Sequence, residues 1–116
     1  MYNEEFLISV GYCVFMLMIA LIVYKFPPKK INHLYGYRTS RSMKNETVWN
    51  YANSYSNLLF IKICLWSFIF PVLSYFIFPE YIILITIVAN TLLLVLMIIL
   101  VEMRLNKLFD KNGNPK

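Results

Sequence analysis

The 116 residues are 59% hydrophobic and 17% aromatic but only 15% charged, against about 25% charged residues in ordinary soluble domains. A chain this short and this apolar has too little polar surface to cover its own core in water, which excludes a soluble domain and makes lipid its solvent. The net charge of +5 sits beside the apolar runs, so it reads as a topology signal with some attraction to anionic headgroups, and a nucleic-acid partner is not expected.

The first predicted span is the uncharged stretch 6–24. At about 1.5 Å rise per residue it crosses a hydrocarbon core of roughly 30 Å with modest tilt or slight thinning. Glu4 and Glu5 precede it where a secretory signal would be basic, and no small-residue cleavage pattern follows Val23, so the span is expected to be retained. Pro27 and Pro28 then stop the helix near Lys25 or Phe26, because proline lacks an amide donor and disfavours helical geometry in the residue before it.

The segment 25–57 is far longer than a connection between two spans requires, and such loops are where function concentrates. Gly36 supplies a turn with positive φ between two tyrosines. Ser42 or Asn45 caps the next helix, with Glu46 and Thr47 in its first turn. That helix is predicted to run unbroken from Glu46 to Phe70. Its start is amphipathic, with Glu46, Asn50, Asn53 and Asn57 on one side and Val48, Tyr51, Tyr55 and Leu59 on the other. One reading is an interfacial helix end with an aromatic belt; the other folds the loop back so that Arg38 meets Glu46, packed with Trp49, beside a small polar pocket.

The second span, 58–78, is uncharged apart from Lys62, and Pro71 should kink it and free a carbonyl one turn earlier. Lys62 either snorkels to the interface or pairs with Glu102. Pro79 and Glu80 alone join it to the third span, 81–101, which makes an antiparallel hairpin. An amide in mid-membrane needs a partner, so Asn90 should bond across to Ser67, Ser74 or Cys13. Cys13 and Cys64 read as small hydrophobes rather than a disulfide, and residues 111–116 as a frayed polar tail.

Lysine and arginine are confined to two regions. The 25–57 segment carries Lys25, Lys29, Lys30, Arg38, Arg41 and Lys44 against Glu46, and the tail carries Arg104, Lys107, Lys111 and Lys116 against Asp110. The opposite face has only Glu4, Glu5 and Glu80. By the positive-inside rule the N-terminus is outside, and the loop and C-terminus are cytoplasmic.

The run Ile31, Asn32, Tyr35, Gly36, Tyr37, Arg38, Thr39, Ser42, Met43, Lys44, Asn45, Glu46, Trp49, Ala52 and Asn53, preceded by Pro27 and Pro28 and followed by an apolar span, resembles the SdpI-like family of bacterial membrane proteins. The resemblance covers residues 27–53 by motif and the flanking spans by topology. It marks Asn32, Gly36, Arg38, Thr39, Ser42, Asn45, Glu46, Trp49 and Asn53 as signature positions. It implies immunity to a secreted peptide toxin, with that toxin or a membrane signalling protein as partner. Larger members carry extra spans, with Ile in place of Tyr37, Trp in place of Arg41 and His in place of Asn53.

Enzyme chemistry finds no support: there is no Ser-His-Asp set, no paired intramembrane carboxylates, no metal-ligand spacing and no phosphate loop, and His33 reads as a solvated interface residue. The expectation is an all-α protein of the bacterial cytoplasmic membrane, one domain over 1–116 with three transmembrane helices and an ordered loop, needing no metal or cofactor. It contacts the bilayer, with a homo-oligomer open. The competing reading is a small oligomeric transporter or lipid-handling protein using the loop from Arg38 to Trp49.

Overall fold

A backbone in hydrocarbon has no water to satisfy its polar groups, and a helix closes those bonds within one segment. In the computed structural model, which describes residues 2–32 and 34–116, the chain forms α1 (Asn3–Lys25), α2 (Glu46–Ser67), α3 (Ile69–Ile77) and α4 (Ile82–Leu108). The pair α2 and α3 makes one 32-residue span, and a 3-10 turn at Pro79–Tyr81 leads into α4. Among the described residues, three helical spans are therefore long and apolar enough to cross a membrane, as the composition requires. The spans exceed their uncharged stretches, since α1 starts at Asn3 and α4 runs to Leu108. His33 lies outside the described residues.

Burial is inverted relative to a water-soluble bundle. Ser9, Cys13, Cys64, Ser67, Ser74, Thr86 and Asn90 are buried where the helices meet, while Phe15, Trp66, Phe76 and Leu92 are more than half exposed. Small and polar residues let helices approach and bond across, and the large apolar side chains face lipid. Helix α1 packs on α2 and α4, and α3 packs on α4. An apolar core lies at one end, where Val48 and Ala52 of α2 meet Val101 and Leu105 of α4, with Tyr37 and Phe109 closing it.

Pro71 breaks the second span where its chemistry demands, with α2 ending at Ser67 and α3 resuming at Ile69. The unbroken helix expected to Phe70 is thus interrupted at Phe68, because a ring at 71 disturbs the whole preceding turn. Phe68 keeps right-handed helical angles (φ −64°, ψ −19°), so the break is a kink. The carbonyl that Pro71 cannot serve is that of Ser67, and the Cys13 thiol of α1 donates to it at 3.6 Å. Asn90 of α4 donates to Ser67 Oγ at 2.8 Å and accepts from the Tyr12 hydroxyl at 3.1 Å, which ties all three spans together. Ser67 was a foreseen partner; Tyr12 was not.

At the end carrying that apolar core, the tail departs from expectation. Rather than fraying, residues 110–116 fold back: Asp110 accepts from the amides of Asn112 and Asn114, and the Lys116 amide donates to Leu108. Asp110 makes the local turn that aspartate favours, and Gly113 (φ 84°) reverses the chain. Buried Gly113 then accepts a 2.9 Å bond from Asn45, at the start of α2. Lys62 is exposed, and Glu102 is taken by other groups, described next.

Candidate functional site

Residues 26–45 are built by side chains that serve the loop's own backbone. Asn32 accepts from the amides of Leu34 and Tyr35, both at 2.9 Å, and so turns the chain after Lys30. Gly36 follows at φ 104°, in the region that side chains avoid. Thr39 and Ser42 clasp each other: the Thr39 amide donates to Ser42 Oγ at 2.8 Å and the Ser42 amide to Thr39 Oγ1 at 3.1 Å. The Ser42 hydroxyl is within reach of the Tyr37 and Thr39 carbonyls.

Three residues at the start of α2, its N-cap among them, hold this loop down. Asn45 is the N-cap and accepts from the Val48 amide at 2.9 Å, an arrangement that satisfies an otherwise orphaned donor. Of the two candidate caps, it is Asn45 that serves. Trp49, fully buried, donates from its indole to the Pro28 carbonyl at 2.8 Å. Asn53 accepts from the Tyr37 amide at 2.7 Å and donates to the Tyr37 carbonyl at 3.3 Å, and so pairs with that residue as a neighbouring strand would. Its second amide hydrogen goes to the Trp49 carbonyl. The polar side of α2 therefore divides, with Asn53 and Asn57 buried beneath the loop and Glu46 and Asn50 exposed.

The acid that anchors the loop to α4 is Glu102 rather than Glu46. Its carboxylate accepts from the Tyr37 hydroxyl at 2.8 Å and lies 4.0 Å from the Arg41 guanidinium. Burial, and then the carboxylate beside it, push the Tyr37 phenol above the usual tyrosine range, so it remains a donor. Arg41 also donates to the Phe109 carbonyl at 3.5 Å. The expected contact of Arg38 with Glu46 is thus replaced by Arg41 and Tyr37 meeting Glu102, and Trp49 packs under the loop instead of joining a charge cluster. A count along the spans sets Glu102 near Lys62 alone; the loop folded over α4 brings Tyr37 and Arg41 to it instead.

Arg38 is exposed at the edge of a cavity of about 420 Å³. Ile19 and Val23 of α1, Phe60 of α2, and Met97 and Ile98 of α4 give it apolar walls. Loop residues 35–39, with Ser56 and Asn57, supply the polar groups. Of the nine signature residues, Asn32, Gly36, Thr39, Ser42, Asn45, Trp49 and Asn53 fix the loop's shape, Arg38 faces its cavity, and Glu46 sits exposed in the first turn of α2, where negative charge suits the helix dipole.

The model of the SdpI/YfhL protein family matches residues 29–102, which contain the whole loop after Pro28 and its Glu102 anchor. The chain belongs to the SdpI/YfhL family. It is 50% identical over 46 residues to the uncharacterized protein YfhL of Bacillus subtilis (strain 168), covering 40% of this chain and 42% of that protein. It is 46% identical over 65 residues to the immunity protein SdpI of the same organism, covering 56% of this chain and 30% of that protein. The chain spans less than half the length of either relative that it matches. No solved structure matches it. Within the SdpI/YfhL match, the hydrogen bonds of Asn53 and Trp49 show what these signature residues do here: each serves a loop backbone group that would otherwise be left unpaired.

Proposed function

We propose that this protein protects a bacterial cytoplasmic membrane against a membrane-active peptide toxin, with the signature loop as the protective surface. The observation that carries the reading is the loop itself: the family match falls on a segment held rigid from beneath by α2, with Arg38 left at its surface. A relative named as an immunity protein supports it. Protection here is binding rather than catalysis, and the toxin is the partner. The orientation follows from charge, with the N-terminus outside and the loop and C-terminus in the cytoplasm.

Growth of a sensitive bacterium under peptide challenge tests protection. Arg38→Ala should lower the tolerated toxin concentration about tenfold by removing a forked charged donor, whereas Leu92→Ala, 64% exposed and lipid-facing, should change it less than about twofold. Protection by Arg38→Ala equal to wild type, at matched membrane levels, would reduce the loop to a connector. Orientation is tested separately by single-cysteine labelling in a background lacking Cys13 and Cys64. Cysteine at Lys44 should react only after the inner face is opened; labelling of intact cells there would reverse the topology.

A further inference from the structure

The cavity under Arg38 has a chemistry of its own, independent of whether the chain confers immunity. Its volume of about 420 Å³ falls within the range of about 300–1,000 Å³ typical of small-molecule sites. Beyond its apolar walls it holds one polar group with no work in the fold. Asn57 is 7% exposed and lines the cavity, yet its side-chain amide meets no hydrogen-bond partner among the described residues. That amide opens onto the cavity, whereas the side chains of Asn53 and Ser56 beside it are bonded within the fold. Asn57 is thus a buried polar side chain of α2 whose hydrogen-bonding capacity faces the cavity.

The occupant must be apolar along Ile19, Val23, Phe60 and Ile98, polar at Asn57 and anionic at Arg38. A free phosphate would leave the apolar walls unused. A lipid is already the neighbour of every span, and a cavity lined by three spans beside a basic loop offers an acyl chain apolar walls and a phosphate a guanidinium. We propose that the cavity binds one anionic phospholipid. Its phosphate sits on the Arg38 guanidinium, its ester region hydrogen-bonds Asn57, and one acyl chain lies between α1, α2 and α4.

The full-length protein, purified in mild detergent, can be titrated with phosphatidylglycerol, with phosphatidylcholine of the same chains, and with inorganic phosphate. Native mass spectrometry counts retained lipid, and circular dichroism checks that each variant is folded. Wild type should retain one phosphatidylglycerol per chain at about tenfold lower concentration than phosphatidylcholine, reflecting the charge-assisted contact. Arg38→Ala should abolish that preference, and Ile98→Trp, which fills the apolar part, should weaken both lipids. Asn57→Leu should weaken both as well, while Lys44→Ala, a basic residue away from the cavity, should leave binding unchanged. Equal retention of the two lipids, equal loss in Lys44→Ala and Arg38→Ala, or full binding by Ile98→Trp would each overturn the site. Competition by inorganic phosphate at the same concentration as phosphatidylglycerol would make it a simple anion site. Capture of a synthetic amphipathic peptide with no lipid retained would assign it to a polypeptide; either result overturns the proposal.

Discussion

Asn53→Leu is expected to release the signature loop while leaving the three spans in place. The leucine is close in size, so the loss is mainly of hydrogen bonds: the Tyr37 amide is left unpaired beneath the loop, and the Tyr37 carbonyl keeps only its bond from the Ser42 hydroxyl. The unpaired amide costs about 1–3 kcal/mol and the lost carbonyl bond about 1 kcal/mol more, so the loop should lose about 3 kcal/mol, or roughly a hundredfold in its open population. The spans keep their backbone bonds within each helix and need no help from the loop. Limited trypsin digestion reads the difference, because Lys29, Lys30, Arg38 and Arg41 lie in the segment that opens. Cleavage there should accelerate on that scale while helical content stays unchanged. Asn53→His, the residue that larger family members carry, can still donate or accept one bond and should recover part of the protection. Digestion of Asn53→Leu within about twofold of wild type would mean that Asn53 is not what holds the loop.

What could be read from sequence divides along a physical line. The spans were legible because uncharged runs of that length have no other solvent, and Pro71 and Asn90 were legible because each creates a need that a neighbour must meet. Both needs converge on Ser67, through its carbonyl and its hydroxyl. The partners were less legible than the needs. Tyr12 and Cys13 supply them from α1, whose rotation about its axis no periodicity reveals when nearly every position is apolar. The loop's motif was visible, but its pairings depend on the chain doubling back over α4, which sets Glu102 beside Tyr37 and Arg41 instead of Lys62. The tail was misread for a similar reason: Asp110 and Gly113 carry turn chemistry, yet only the presence of Asn45 nearby gives the turn something to dock on.

Gly36→Ala should be nearly as damaging, and for a reason the packing makes specific. At φ 104° any side chain is strained, and strain of this kind costs about 1–3 kcal/mol. A Cβ would also stand 2.6 Å from Pro28 Cγ and 2.7 Å from Asn53 Oδ1. Neither neighbour can yield cheaply, because one belongs to a closed ring whose carbonyl receives Trp49 and the other is fixed by the Tyr37 amide. Together the two effects should cost the loop about 3 kcal/mol, against an intrinsic change of about 1 kcal/mol in the opposite direction for glycine to alanine in a regular helix. Gly11 provides that control, since it lies within α1 with nothing within 4 Å of an added Cβ. Gly11→Ala should leave trypsin sensitivity unchanged or slightly lower, and Gly36→Ala should raise it. Combining Gly36→Ala with Asn53→Leu should cost well under the sum of the two, because both break the same junction between loop and α2 and it can be lost only once. Strict additivity in that double variant would show that Gly36 and Asn53 act on separate parts of the loop, contrary to the 2.7 Å at which a Cβ added to Gly36 would meet Asn53 Oδ1.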